Sequence, residues 1–370
     1  MVLSAIDHSR KWSLIENFHL RPFNGLRAID LFCGCGGLSL GFKRAGYDVV
    51  AGFDFDAASL ETYGKNFGSE KAFQIDLAKA TWSATLSNLG KIDVILAGPP
   101  CQGFSLTGTR NPDDSRNQLY KAVFDAARVL NPKAILIENV KGMATLYNGE
   151  VRKSIIVALE RLGYRSHSKI LNASKFGVPQ HRERLFFLGL QDRLPTFPNE
   201  LFSEITQITC GDAISDLPSL TEDFGEECRL YDSEAKNPYQ NLMRSSSSYL
   251  WNHVATRHTD LVKSVIRLVP EGKNHRSLPP GIGLSRRFNE AWTRYDRSKP
   301  SRTIDTGHRN HFHYEYDRVP TIRENARLQS FPDDFVFVGT KTEQNRQVGN
   351  AVPVLLAQSI AMNLADCITK

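Results

Sequence analysis

Hydrophobic positions along the first half of the chain follow two alternating periods. Short continuous apolar runs predict buried strands at residues 28–32, 48–53, 92–97 and 134–138. Segments with helical spacing follow them at about 38–45, 57–66, 119–130 and 151–162. Two further strand-like runs occupy 165–171 and 184–190. Strands that alternate with helices predict an α/β fold with a doubly wound, mostly parallel sheet.

The pattern changes after Leu190. Residues 192–299 are richer in proline, serine and charge, and they show no alternation of strands and helices. Four serines at 245–248 and the Pro-Pro-Gly run at 279–281 indicate loops. Helical spacing returns at 357–367. We therefore predict a second, smaller domain inserted before the C-terminal part of the chain.

Charge is unevenly distributed in this second half. Ten acids lie within 200–234 against a single arginine, whereas 257–311 carries twelve lysines and arginines against five acids. The whole chain of 370 residues has a net charge of +6. A basic block of this kind is typical of a surface that faces a polyanion. An ordinary solvated face is the alternative.

The composition of the chain indicates the cellular compartment and the state of its cysteines. We expect a cytoplasmic protein, because no apolar run approaches the ~18 residues of a membrane helix and residues 1–24 lack the apolar core of a signal peptide. The six cysteines include no C-x-x-C pair and are not spaced with histidines as zinc ligands, so we expect reduced thiols and no metal site.

The most distinctive segment is 98–105, which reads GPPCQGFS directly after the strand at 92–97. A cysteine on a stiff loop at the end of a strand is where an open α/β sheet places a nucleophile. A lone cysteine is more often a small core residue. The nucleophile interpretation of Cys101 therefore depends on its neighbours in the fold.

Acidic and glycine-rich segments end the first strands. Residues 30–37 read DLFCGCGG, and their glycines allow backbone N–H groups to approach a ligand at a helix N-terminus. Ser39 stands where a dinucleotide-binding loop needs glycine, which disfavours a nicotinamide oxidoreductase. Asp54 and Asp76 follow at the same predicted sheet edge, and Phe55 could pack on an adenine. These acids suit a nucleoside with a positively charged appendage.

Two further polar groups follow later strands. Glu138 ends the predicted strand at 134–138, and Asn139 follows it directly. A desolvated carboxyl group at this position can donate a proton near neutral pH. Arg182 and Arg184 alternate along an extended segment and are predicted to project to one side. Surface ion pairing with Glu183 is the alternative for these arginines.

Taken together, these motifs resemble those of the DNA cytosine carbon-5 methyltransferases, and they occur along the chain in the same order as in that family. The matching segments are 30–37, Asp54 with Phe55, Asp76, 99–102 (PPCQ), 138–140 (ENV), 180–184 (QHRER), 298–304 (SKPSRTI), 323–332 (RENARLQSFP) and 347–353 (QVGNAVP). Only about 192–297 lacks such motifs. Phe55 departs from the tryptophan that is frequent in the family.

The resemblance implies a Rossmann-like, S-adenosyl-L-methionine-dependent fold and a set of site residues. Cys101 would attack carbon 6 of a flipped-out cytosine, Glu138 would protonate the ring, and Arg184 would hold its carbonyl oxygen. Supporting catalytic positions are Arg182, Asn139 and Pro100. Predicted cofactor contacts are Asp30, Phe32, Gly34, Cys35, Gly36, Gly37, Asp54, Phe55, Asp76, Leu77, Asn350 and Val352. Predicted DNA contacts are Gln102, Ser105, Arg110, Arg116, Arg286, Arg287, Arg294 and Arg297.

The resemblance also implies an organisation and a partner. The predicted domains are a catalytic domain at 1–191 completed by 340–370, a target-recognition domain at 192–320 and a hinge at 321–339. We expect a monomer that binds double-stranded DNA in the cytoplasm, associated with the bacterial nucleoid. A cognate restriction endonuclease, where one exists, would act separately. Alternatives are a tRNA cytosine-5 methyltransferase of the same fold, disfavoured because the Cys-Phe-Thr tripeptide is absent, and a non-catalytic DNA-binding relative.

Overall fold

The computed structural model describes residues 2–100, 118–282, 291–307 and 309–369, which form two compact units. The sheet unit contains the described residues of 20–172, 183–199 and 356–369. The second unit contains 2–19, 173–182 and the described residues of 200–355. These bounds differ from the predicted domains, because 2–19, 173–182 and 340–355 belong to the second unit. Neither unit is contiguous in sequence.

The elements are numbered in chain order. The strands are β1 (Arg27–Leu31), β2 (Asp48–Asp54), β3 (Ala72–Gln74), β4 (Val94–Ala97), β5 (Ala134–Val140), β6 (Arg165–Asn172), β7 (Glu183–Leu190), β8 (Cys228–Leu230), β9 (Tyr249–Trp251), β10 (Thr293–Arg294) and β11 (His311–Phe312). The α-helices are α1 (Val2–Ile15), α2 (Gly37–Arg44), α3 (Ala57–Phe67), α4 (Gln118–Leu130), α5 (Glu150–Arg161), α6 (Cys210–Ile214), α7 (Pro238–Arg244), α8 (Asp260–Leu268), α9 (Ile322–Leu328), α10 (Lys341–Asn350) and α11 (Val354–Thr369).

A seven-stranded sheet in the order β3-β2-β1-β4-β5-β7-β6 organises the sheet unit. The fold prediction is confirmed, since every predicted strand is present and the sheet is mostly parallel. β7 is antiparallel to both of its neighbours. Ten residues join β6 to β7, fewer than a parallel crossover connection requires. β3 and α1 were not predicted from the sequence.

The core of the sheet unit lies against the central strands. All four residues of β4 are buried, because strands covered on both faces present apolar side chains in both directions. Val123 of α4 and Ile155 of α5 contribute to the same core. Helix α11 packs closely on α2, where a Cβ added to Gly41 would lie 2.3 Å from the Cβ of Ala357.

By length and composition alone, one segment among the described residues is sufficiently long and apolar to cross a membrane. This segment is Lys341–Thr369, which includes α10 and α11. Two thirds of its most apolar window (67%) is buried inside the protein, and the Leu356 and Ile360 side chains are fully inaccessible. A buried core helix meets the same criteria, so we assign α11 to the core.

Buried arginines organise the second unit around α9. Arg327 donates to Asp216 Oδ1 at 2.6 Å and to Asp333 Oδ2 at 2.6 Å. Arg323 donates to the carbonyls of Pro332 and Phe335 at 2.8 and 2.6 Å. Both arginine side chains are inaccessible to solvent. Removal of one partner from such a buried pair leaves an uncompensated charge, which is strongly destabilising.

Candidate active site

The site is built where the strand order of the sheet reverses, between β1 and β4. Leu31 of β1 pairs with Ala97 of β4, and the Gly98 amide donates to the Leu31 carbonyl at 3.1 Å. The loops that follow these two strands therefore begin side by side. Open α/β sheets bind ligands at this position, outside the carboxyl ends of the strands.

The loop after β1 follows a strained path that glycine makes possible. Phe32, Gly34 and Gly36 have positive φ values of 61°, 54° and 99°. A Cβ on Gly36 would lie 2.4 Å from Cε2 of Phe67, so no side chain fits there. The Gly34 amide donates to Asp54 Oδ2 at 2.8 Å, which ties this loop to the end of β2.

The predicted nucleoside-binding residues differ in exposure. The nearly buried Asp54 carboxylate also accepts the Asp56 amide at 2.9 Å, and burial raises its pKa. Phe55 beside it leaves 70% of its surface exposed. Asp76 is exposed and forms a 3.7 Å ion pair with Lys79. Leu77 is buried in the core of the sheet unit, and its predicted cofactor contact stays a prediction.

Asp30, the acidic residue of the segment 30–37, lies in β1 directly before this loop. Asp30 is buried and accepts the Ser39 hydroxyl at 2.6 Å. Burial, together with the negative charges of Asp54 and Glu138, raises the pKa of Asp30 to about 7, although the hydrogen bonds from Ser39 lower it. The Asp30 carboxylate thus supports the start of α2, and the predicted cofactor contact of Asp30 stays a prediction.

Two buried thiols share this loop. Burial raises the pKa of Cys33 well above its usual value and that of Cys35 to about 12. Both thiols therefore remain protonated at neutral pH, and neither suits the role of a nucleophile. The Cys35 side chain is buried, and its predicted cofactor contact stays a prediction.

The predicted acid and one predicted arginine meet at the end of β5. Arg184 Nε lies 3.1 Å from Glu138 Oε1, and both side chains are mostly buried. Burial lowers the pKa of Arg184, and the nearby Glu138 carboxylate raises it. A Cβ placed on Gly98 would lie 3.8 Å from Glu138 Oε2, so the carboxylate borders the loop after β4.

Asn139 holds the backbone of that loop. Its Nδ2 donates to the Pro99 carbonyl at 2.8 Å and to the Tyr120 hydroxyl at 2.7 Å. Its Oδ1 accepts the Val140 amide at 2.8 Å, and its side chain is buried. Pro100, the next described residue, is exposed. The predicted catalytic residues Glu138, Asn139 and Arg184 thus lie around residues 98–100.

Several predicted residues fall outside the described part of the chain. They are Cys101, Gln102, Ser105, Arg110, Arg116, Arg286 and Arg287. Their roles stay predictions.

Arg182, Asn350 and Val352, which were predicted to serve catalysis or cofactor binding, belong to the second unit. Arg182 is buried and donates to the carbonyls of Ile304 and Gly349 at 3.2 and 2.8 Å. These bonds give its guanidinium a structural role, and its predicted support of Arg184 stays a prediction. Asn350 is exposed at the end of α10, and Val352 is buried just after it.

The prediction that Arg294 contacts DNA is wrong. Arg294 is buried, and its guanidinium donates to the carbonyls of Val269 at 2.7 Å and Ile266 at 2.6 Å. It also pairs with Asp317 at 3.0 Å. The Arg294 guanidinium therefore satisfies backbone carbonyls at the C-terminal end of α8 and does not face solvent. Arg297 is exposed, and its Nε lies 3.2 Å from Glu271.

A basic cluster was missed by the sequence analysis. Burial lowers the pKa of His258, and the positive charges of Arg309, Lys263 and Arg318 lower it further. Arg318 is buried against Glu324, whereas Lys263 and Arg309 are exposed. The two exposed cations, Lys263 and Arg309, therefore both lie near His258. Lys263 and Arg309 are 46 residues apart in the chain, so their spacing gave no signal in the sequence.

Comparison with known proteins now identifies the family. A family model described as C-5 cytosine-specific DNA methylase matches residues 26–366. The chain belongs to this family. The methyltransferase acts on carbon 5 of cytosine in DNA, and the RNA-directed alternative is not favoured.

Named relatives agree with this assignment. Type II methyltransferase M1.HphI of Haemophilus parahaemolyticus is 38% identical over 342 residues, which cover 91% of this chain and 86% of that protein. Type II methyltransferase M.DdeI of Desulfomicrobium norvegicum is 35% identical, with coverage of 92% and 88%. A solved prophage-encoded protein from E. coli, named as a DNA modification methyltransferase, superposes with a TM-score of 0.75 at 28% identity and covers 94% of this chain and 100% of its own.

Replacement of Asp54 by alanine is expected to weaken cofactor binding roughly tenfold to hundredfold. The variant loses a charged acceptor, and a hydrogen bond to such a group contributes about 1.5–3 kcal/mol. Calorimetric titration with S-adenosylmethionine measures the effect. Asp125→Ala, which removes an exposed carboxylate of α4, is the matched control. An unchanged dissociation constant for Asp54→Ala would refute the assignment.

Proposed function

We propose that the sheet unit binds S-adenosyl-L-methionine at the loop after β1 and performs methyl transfer through Cys101, Glu138 and Arg184. The observation that carries this proposal is the pairing of Glu138 with Arg184 at 3.1 Å, beside residues 98–100. These two groups are the proton donor and the carbonyl holder that the cytosine ring requires. Cys101 follows this backbone directly in the sequence.

The residues around the loop suit the cofactor. A glycine-permitted turn, the Asp54 carboxylate and the exposed Phe55 ring offer backbone amides, a ribose acceptor and an aromatic face. The Asp54 carboxylate lies against the loop after β1, and its negative charge favours a cationic sulfonium over an anion. We assign Phe32, Gly34, Gly36, Gly37, Asp54 and Phe55 to this contact, with Asp76, Asn350 and Val352 as further proposed members.

The proposed chemistry begins with the thiolate of Cys101. It forms a bond to carbon 6 of the cytosine while Glu138 gives a proton to ring nitrogen 3, so carbon 5 becomes nucleophilic. Arg184 holds the carbonyl oxygen at position 2. The bound cofactor supplies an electrophilic methyl group. After carbon 5 has accepted the methyl group, its proton passes to water and the sulfur–carbon 6 bond breaks. Ring nitrogen 3 then returns its proton to the Glu138 carboxylate, and the thiolate is regenerated.

The substrate is duplex DNA from which the target cytosine is flipped out, at a cost of a few kcal/mol. We propose that the second unit reads a specific sequence, with Arg286, Arg287 and Arg297 among its DNA contacts and Gln102, Ser105, Arg110 and Arg116 on the catalytic side. As its relatives are named type II methyltransferases, we assign this chain to a restriction-modification system. We expect a cytoplasmic monomer that acts separately from any endonuclease.

Joint replacement of Lys263 and Arg309 by alanine is expected to weaken DNA binding and to reduce its dependence on salt. Each lost phosphate contact lowers the slope of log affinity against log salt by about 0.9, so the double variant should lose about 1.8. Fluorescence anisotropy at several salt concentrations measures this slope. The matched control is Arg161→Ala with Arg165→Ala, which removes two exposed cations of the sheet unit. An unchanged slope would exclude this cluster from the interface.

A further inference from the structure

Tyr120 forms a hydrogen-bonded chain that no motif of the sequence indicates. It lies in the first turn of α4, and its side chain is buried. Its hydroxyl accepts Nδ2 of Asn139 at 2.7 Å and donates to Met143 Sδ at 3.2 Å. The same Asn139 amide donates to the Pro99 carbonyl at 2.8 Å.

This chain joins the two sides of the segment that carries Cys101. Pro99 precedes that segment, and Tyr120 follows it near the start of α4. One amide group therefore fixes the backbone on the near side and a helix on the far side. Because the amide is buried, neither bond competes with water, and each constrains the position of its partner.

We propose that Tyr120 is a positioning residue for methyl transfer, and that its hydroxyl orients the Asn139 amide toward the Pro99 carbonyl. The inference rests on the proposed function of Cys101. With the hydroxyl absent, the amide keeps one acceptor and gains rotational freedom about its side-chain torsions. The Pro99 carbonyl is then held less firmly, and Cys101 reaches its attack geometry less often.

The decisive variant is Tyr120→Phe, which removes the hydroxyl and keeps the ring in the core. Loss of one buried hydrogen bond predicts a three- to tenfold lower rate of single-turnover methyl transfer at saturating DNA and cofactor. The dissociation constants for DNA and cofactor should stay within twofold of wild type. The matched control is Tyr164→Phe, which removes another buried hydroxyl, bonded to the Pro132 carbonyl at 2.7 Å.

A double-mutant cycle tests whether the hydroxyl acts through Asn139. Tyr120→Phe should have no further effect on the rate in the Asn139→Ala background. The proposal is overturned by an unchanged rate in Tyr120→Phe, by an equal loss in Tyr164→Phe, by a loss confined to DNA or cofactor affinity, or by additive effects in the cycle.

Adduct formation on 5-fluorocytosine DNA separates this inference from the function on which it rests. If wild type forms no covalent adduct, the proposed role of Cys101 fails. If wild type forms the adduct and Tyr120→Phe forms it at the same rate, only the positioning role of Tyr120 fails. Slower adduct formation by Tyr120→Phe, with the same final yield, supports both.

Discussion

Duplex DNA that carries 5-fluorocytosine at the target position is expected to become covalently attached to the wild-type methyltransferase and not to Cys101→Ser. The proposed reaction must expel the carbon-5 proton before the sulfur–carbon bond can break. Fluorine cannot leave as a cation, so the intermediate should persist. Serine is a far weaker nucleophile than a thiolate near neutral pH, so methylation by the variant should be lost entirely.

The measurement is a denaturing gel in the presence of cofactor, on a duplex whose site is chosen by mapping methylated cytosines in an expressing host. Cys367→Ser is the matched control, because it exchanges another thiol of the sheet unit and a hydroxyl can keep the contact with Thr196. A stable adduct with Cys101→Ser, or none with wild type, would contradict the assignment.

Glu138→Gln is expected to slow methyl transfer by about 10²–10⁴-fold while DNA affinity changes little. The amide has nearly the shape of the acid but is a poor proton donor, and general acid catalysis typically contributes a factor of this size. Arg184 also loses the carboxylate that lies 3.1 Å from its Nε. Single-turnover methylation on saturating DNA measures the rate.

Glu183→Gln provides the comparison for this experiment. Glu183 begins β7, and its exposed carboxylate pairs with Lys141 at 2.7 Å. Its replacement should leave the rate unchanged, since a pair at the surface contributes little. If Glu138→Gln weakened DNA binding and kept the wild-type rate, Glu138 would be structural rather than catalytic.

Local patterns predicted much of the sheet unit. Buried central strands need apolar side chains on both faces, so β4 appears in the sequence as a continuous apolar run, and β1 and β5 are mostly apolar. The structure starts or ends these strands within two residues of the predicted bounds. The edge strand β3 escaped prediction because its three residues are only partly buried and carry a weak signal.

The roles of individual charged side chains were harder to predict, because each depends on what the fold places nearby. Arg294 and Arg297 occur in one basic stretch, yet Arg294 is buried among carbonyls and Arg297 is exposed. Asp30 belongs to a motif that resembles a cofactor contact, yet its carboxylate accepts Ser39. The Lys263 and Arg309 cluster exists only because the chain returns to the same surface. Such long-range placement leaves no periodicity in the sequence.

The close approach of α11 to α2 has a consequence for biosynthesis. Gly41 lies against Ala357, and the Tyr47 hydroxyl donates to the Ala361 carbonyl at 3.0 Å. A ribosome that adds about 5–20 residues per second needs roughly 15–60 s to travel from the first of these helices to the last. During that interval the nascent sheet unit exposes the face that α11 later covers, so its native packing is completed only after residues 356–369 have left the exit tunnel.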